Sequence, residues 1–286
     1  MDVRAPTGSG LVWQVADGAA RRRPDELAVE EPLEIRASVP FEGGEDVVET
    51  LTVTMRSPGN DFELVAGWLN SEGVVDSAAE IRAISYCADP ALDGEQRYNV
   101  VTAELTSRAV DRLRPRRTMT ASSCGICGTA SIDAVCEGVH PALGDGPVFD
   151  WAVLAMVPEL LRESQRQFSA TGGIHGAALV NSTGAVSVVR EDIGRHNAVD
   201  KVVGWALLND RFPPRDAALI VSGRSSFEIV QKALRAGIGL VAGVSAASSL
   251  AVQLADDSGL TLVGWLRGDR ATIYTHPGRV TFGSPR

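Results

Sequence analysis

Two apolar repeats alternate along the chain and mark out its elements. Val47 to Met55, with Val47, Val48, Thr50, Leu51, Thr52, Val53 and Thr54, carries β-branched strand chemistry. The turn and cap residues Ser57-Pro58-Gly59-Asn60-Asp61 follow. Phe62, Val65, Ala66 and Leu69 then fall at i, i+3, i+4 and i+7, which predicts a helix stopping before Gly73. Glu31 to Ile35, Ile81 to Cys87 and Tyr98 to Leu105 read as further strands, the last two joined by a polar loop through Pro90 and Gly94. Cys87 falls inside a strand and reads as a core thiol. Leu154 to Phe168 predicts a helix that restarts at Pro158.

Downstream the rhythm becomes a regular strand–helix alternation. Strands are predicted at 177–181, 186–190, 217–221, 240–244, 261–266 and 271–275, and helices at 195–208, 227–236 and 246–254. Such alternation implies an α/β layer with a largely parallel portion and helices on both faces. The hairpin through Ser182-Thr183-Gly184, and the final pair joined only by Gly268-Asp269, make the sheet mixed. Residues 1–30, rich in Gly, Ala and Arg, read as a mobile lead-in, with order beginning near Glu31. Residues 31–117 then form a small α+β subdomain, and 118–286 the larger α/β domain.

Composition narrows the function classes. The 286 residues suffice for a full core, in one large domain or two unequal ones. A formal charge of −9 argues against general nucleic-acid binding. The N-terminus lacks a secretory pattern, and no run approaches the ~18 apolar residues that span a bilayer. The four cysteines, Cys87, Cys124, Cys127 and Cys136, do not resemble a disulfide framework. A cytoplasmic protein with no membrane partner is expected.

The chemical centre is Thr120-Ala121-Ser122-Ser123-Cys124-Gly125-Ile126-Cys127-Gly128. Ala130, Ile132, Ala134 and Val135 continue it as an apolar-periodic run, so the cysteines sit at or just before a helix start. Unpaired N–H groups and the helix dipole favour a thiolate there. Three readings stay open for the pair: a reactive thiol for redox or sulfur transfer, a metal site, or two incidental loop cysteines. A Cys124, Cys127, Cys136 and His140 zinc finger is discounted, because Cys136 lies within the apolar run and His140 precedes Pro141.

Polar, glycine-bearing segments occupy loops where open α/β sheets bind ligands. These are Thr171-Gly172-Gly173-Ile174-His175-Gly176, Glu191-Asp192-Ile193-Gly194-Arg195-His196-Asn197 and Ser222-Gly223-Arg224-Ser225-Ser226, together with Arg267 and Arg270 around the last turn. Each segment alone has a plain reading, since Ser and Asp cap helices and the arginines can be solvated. Together they suggest a pocket for a phosphorylated, nucleotide-like ligand. Arg195 and His196 are expected to contact it, with Asp200 and Lys201 supporting the loop.

Five motifs in order, Ser123–Gly128, Thr171–His175, Arg190–Lys201, Ser222–Glu228 and Arg267–Arg270 with Tyr274-Thr275-His276-Pro277, resemble the formate dehydrogenase accessory sulfurtransferases, the FdhD family. The resemblance runs from about Glu31 to near the C-terminus. It implies a homodimeric sulfur carrier with a fold similar to cytidine deaminases. A cysteine desulfurase would load sulfane sulfur onto Cys124 as a persulfide, with Cys127 assisting or resolving it. The sulfur would pass to the molybdenum (or tungsten) of a bis(molybdopterin guanine dinucleotide) cofactor bound for formate dehydrogenase. The family's cofactor segment matches Trp265, Leu266, Arg267, Gly268, Asp269 and Arg270. No structural metal is expected. Three departures stand out: Trp265 for a more usual Phe, Gly176 where Ala is expected, and Thr129 where Lys is common.

Two rivals remain. A zinc deaminase needs His-x-Glu followed by Pro-Cys-x-x-Cys; here the cysteines come first and His175 is followed by Gly176-Ala177. A non-catalytic cofactor chaperone would use its cysteines only to hold the ligand. His175 reads equally as facing the reactive cysteine or as a satisfied pocket histidine.

Overall fold

The computed structural model describes residues 5–39, 46–87, 96–113, 143 and 146–283. Cys124, Cys127, Thr129, Cys136, His140 and the loop through Pro90 and Gly94 lie outside these residues.

The larger unit is a six-stranded mixed sheet in the order β13-β12-β11-β10-β8-β9. Its strands are β8 (His175–Asn181), β9 (Val186–Asp192), β10 (Ala217–Val221), β11 (Leu240–Gly243), β12 (Thr261–Arg267) and β13 (Arg270–Thr275). The middle strands β10, β11 and β12 run parallel, and antiparallel neighbours flank them. Alternation along the strands builds two cores. Ala177, Leu179, Leu219, Val241 and Leu262 face α5 (Arg195–Leu208), α6 (Phe227–Arg235) and α7 (Ser249–Asp257). Ala178, Val180, Ile220, Ala242 and Val263 pack under Leu154, Val157 and Leu161 of α3 (Trp151–Ser164). Helices thus cover both faces of a mixed sheet.

The smaller unit is a four-stranded sheet, β4-β3-β6-β5, built from β3 (Glu31–Val39), β4 (Val47–Arg56), β5 (Ile81–Tyr86) and β6 (Val100–Leu105). It shares a core with α1 (Asp61–Ser71) and α2 (Ser107–Leu113). Arg56 is fully buried there, with Nε 3.1 Å from Asp61 Oδ1 and Nη1 3.2 Å from Glu31 Oε2. The Tyr86 hydroxyl donates to Asp61 Oδ2 at 3.0 Å. Burial, and then the Asp61 charge, push its phenol above the ordinary tyrosine range.

Helices α1 and α5 join the two units at a glycine crossing. A Cβ on Gly67 would lie 1.8 Å from the Asp200 carbonyl oxygen, and one on Gly204 would lie 1.7 Å from that of Glu63. The backbones approach this closely because neither position carries a side chain.

Several expectations are corrected. Order does not begin near Glu31: β1 (Thr7–Ala16) and β2 (Ala19–Ala28) form a ten-rung antiparallel hairpin within the segment read as a lead-in. Asp17 and Gly18 turn it with φ of 52° and 74°, the paired positive values that a two-residue hairpin turn requires. The helix read as restarting at Pro158 instead begins at Trp151, capped by Asp150 Oδ1 accepting from the Ala152 N–H at 2.7 Å, and runs through Pro158. It breaks later, at Gln165, before α4 (Arg166–Thr171). Cys87 lies just past the end of β5 as a half-buried free thiol, outside the core.

Candidate functional site

Parallel strands β10 and β11 end together at Val221 and Gly243, and antiparallel β8 begins at the same edge with His175. The edge is stitched from both sides. Ser222 N–H donates to the Gly176 carbonyl, and Gly176 N–H donates to Ser222 Oγ, each at 2.9 Å. The Ser222 hydroxyl is therefore a clip between β8 and the loop after β10.

An open cavity of about 690 Å³ lies at this edge. Gly172, Gly173, His175, Ser222, Leu266, Arg267 and Gly268, all singled out from the sequence, line it. Helix α3 and its continuation supply Arg162, Gln165 and Phe168, which sequence reasoning missed. Arg162 places its guanidinium 4.9 Å from the Phe168 ring centroid, a cation–π contact on the cavity wall. Glu159 also lines the cavity, so two arginines stand against one carboxylate, and with three glycines this lining suits an anionic ligand that must approach the backbone closely.

The Thr171–Gly173 wall has an identifiable cause. Glu191 reaches across from β9 and accepts from the N–H groups of Gln167 and Phe168 at 3.0 and 2.8 Å, capping α4 with a carboxylate. Gly172 then ends that helix in the left-handed region, φ 68°. A Cβ on it would meet nothing within 4 Å, so its side faces open space.

Gln165 is buried in this wall, and its Nε2 has no hydrogen-bond partner among the described residues. A Cβ at position 176 would stand 2.6 Å from that nitrogen. Glycine in place of the expected alanine leaves room for the amide. An orphaned donor in a cavity wall is what an acceptor-rich ligand would satisfy.

The Arg190–Lys201 motif works mostly as structural cement. Buried Lys201 holds Asp192 at 2.7 Å and donates to the Ser57 carbonyl at 3.0 Å. Asp192 also accepts from the Gly194 N–H at 2.8 Å. Asp200 receives Lys232 at 2.7 Å and the Ser71 hydroxyl at 2.6 Å, and Arg190 pairs with Glu63. These contacts tie the small unit to the large one.

Arg195 and His196 begin α5 beside the loop after β10. A Cβ on Gly223 would lie 3.5 Å from His175 Nδ1 and 3.7 Å from Arg195 Cδ, ordinary contact distances that place both side chains against the loop. Arg195 Nε is buried without a partner among the described residues. Burial, then the positive charge of Arg195 and that of His196, hold the His175 imidazole below its usual range, with Asp192 opposing. His196 points elsewhere. Its Nδ1 lies 2.9 Å from Glu228 Oε2 and its Nε2 3.2 Å from Ser226 Oγ.

Seven predicted ligand residues fall outside the cavity lining: Arg195, His196 and Gly223, described above, and Trp265, Asp269, Arg270 and Arg224. Trp265 sits at a bulge with φ 54°, partly exposed, with the Arg267 guanidinium 5.3 Å from its ring centroid. Asp269 is exposed in the turn after β12 and Arg270 at the start of β13, and Arg224 is exposed after β10.

A protein-family model described as the FdhD/NarQ family matches residues 28–281. Proteins described as sulfur carrier protein FdhD share 48% identity over 281 residues in Mycolicibacterium paratuberculosis, covering 96% of this chain and 98% of that one. Identity is 50% over 265 residues in Mycobacterium tuberculosis, covering 91% and 93%. A crystal structure from Desulfotalea psychrophila, provisionally described as a formate dehydrogenase accessory protein, superposes with a TM-score of 0.74. It covers 97% of this chain and 100% of its own, and at 24% identity it speaks to the fold.

Proposed function

The chain belongs to the FdhD/NarQ family, and on that premise we propose that it is a sulfurtransferase, carrying sulfane sulfur from a cysteine desulfurase to a molybdenum bis(guanine dinucleotide) pterin cofactor. In the loading step the Cys124 thiolate attacks the terminal sulfur of the donor's persulfide. A new S–S bond forms on Cys124 and the donor cysteine leaves as a thiolate. Cys127 is the exchange partner three residues on. The acceptor is the formate dehydrogenase catalytic subunit, reached through the cofactor as cargo. A homodimer, a cytidine deaminase-like descent of the large sheet and a cytoplasmic setting complete the reading. Among the described residues, no helix is long and apolar enough to cross a membrane.

The observation that carries this reading is the cavity. Segments as distant in sequence as Gly172–His175, Ser222 and Leu266–Gly268 meet in one wall with two arginines and an orphaned amide. The guanine dinucleotide tails bring several phosphates, for which that lining is suited. Arg162 and Arg267 would hold phosphate oxygens, Gln165 Nε2 would donate to an acceptor, and neutral His175 would hold or release a proton at the cavity edge.

The rival is a chaperone whose cysteines only bind. Equilibrium binding of GDP and of the isolated cofactor to wild type and Cys124→Ser separates them. A carrier keeps both affinities within about twofold and loses sulfur delivery, because a serine oxygen cannot form a persulfide. Loss of cofactor affinity in Cys124→Ser would instead favour the chaperone.

A further inference from the structure

The loops after β10 and β11 follow one backbone pattern, and the way their last serines differ is informative. Both run strand, bend, bridge, helix, and they pair through a parallel bridge between Ser225 and Ala247. Ser226 and Ser248 therefore occupy equivalent places as the residues before α6 and α7. Ser248 does what serine ordinarily does there: its Oγ accepts from the Ala251 N–H at 3.3 Å. Ser226 makes no cap bond. Its hydroxyl turns to His196 Nε2 at 3.2 Å, while His196 Nδ1 lies 2.9 Å from Glu228 Oε2.

We propose that Ser226, His196 and Glu228 form a nucleophile–base–carboxylate relay that gives the protein an acyl-transfer activity toward small carboxylic esters, separate from sulfur transfer. With the Nδ1 proton donated to Glu228, Nε2 accepts from the Ser226 hydroxyl, the tautomer that such a relay needs. The hydrogen bond from His196 is also the largest cause holding the Glu228 carboxyl below its usual range, so the orienting group is an anion at neutral pH. The first N–H groups of α6, left without a capping side chain, and the Arg195 guanidinium, whose Nε has no partner among the described residues, supply positive potential in the same corner. His196 and Ser226 are both partly exposed, which gives a small ester access.

The step balances without a further reagent. Ser226 Oγ bonds to the acyl carbon and its proton passes to His196 Nε2. The ester C–O bond breaks and the leaving alkoxide takes that proton. Water then repeats the sequence, freeing the acid and restoring Ser226.

The test treats the full-length protein with a fluorophosphonate, which forms an Oγ–P bond and releases fluoride, and reads the adduct by intact mass and peptide mapping. The expected result is a single adduct on Ser226, absent in Ser226→Ala, slowed at least tenfold in Glu228→Gln and partly restored in Glu228→Asp. The rate of p-nitrophenyl acetate hydrolysis should follow the same order. An unmodified Ser226, or labelling and hydrolysis as fast in Glu228→Gln as in wild type, would overturn the proposal.

Discussion

At position 176 a missing methyl sets the shape of the cavity wall. The Gln165 amide occupies the space a Cβ would take, 2.6 Å away, and the atoms in conflict belong to a flexible side chain. Gly176→Ala should therefore cost about 1 kcal/mol in denaturant unfolding, the low end for overpacking, while pushing the amide into the cavity and weakening GDP binding. His175 makes a second residue-scale prediction. Its folded pKa is depressed, so above the ordinary value of 6.5 the ring is neutral in both states and its contribution to stability is complete. As pH falls below 6.5 the unfolded chain takes up the proton first, and the fold loses stability on the way down to the folded pKa. An NMR titration should place His175 below 6.5, and Arg195→Gln should raise it by removing a nearby cation. No change in Arg195→Gln would mean that burial alone sets the shift. Arg267 lines the cavity and Arg270 stands exposed at the start of β13, so in the Arg267→Ala/Arg270→Ala pair most of the lost guanine-nucleotide affinity should trace to Arg267.

Between elements, the α1–α5 crossing and the Lys201–Asp192 pair hold the two sheets in one piece. Gly204→Ala brings a methyl against a backbone carbonyl that cannot move aside, and should cost about 3 kcal/mol or more by chemical denaturation, near the top of the range for overpacking. Lys201→Met leaves Asp192 buried without its cation and should cost about 3–5 kcal/mol, well above any surface change on the same helix. The periodicity of α1 and α5 was plain in the sequence, yet the role of Gly67 and Gly204 was not. A glycine inside a helix shows its meaning only when the opposing backbone is known. The β1–β2 hairpin was legible in principle: Asp17-Gly18 between Leu11, Trp13 and Val15 on one side and the paired Ala20 and Arg22 on the other is a strong hairpin signal. The glycine- and arginine-rich composition around it drew attention away. Pro158 misled in the opposite direction, since packing of Leu154, Val157 and Leu161 on the sheet carries the helix through it.

Across the whole molecule, strand alternation after residue 177 was enough to give a mixed sheet with helices on both faces, because the sheet's two cores read directly from odd and even positions. The glycine- and arginine-bearing motifs were legible as a set, several of which meet at one cavity, and less so one by one. Within Arg190–Lys201, Asp200 and Lys201 were expected to support the loop; with Asp192 they do so by joining the two units through Ser57 and Ser71. Arg162, Gln165 and Phe168 gave no sequence signal, because only the sheet's end brings α3 and α4 over the glycine loops. The central claim, a carrier of sulfane sulfur on Cys124, is tested most directly by intact-protein mass spectrometry after incubation with cysteine and a cysteine desulfurase, on wild type, Cys124→Ser and Cys127→Ser. The account predicts a reductant-labile gain of one sulfur atom in wild type that is absent in Cys124→Ser. No sulfur on any form, with zinc bound tightly to the purified protein, would contradict it.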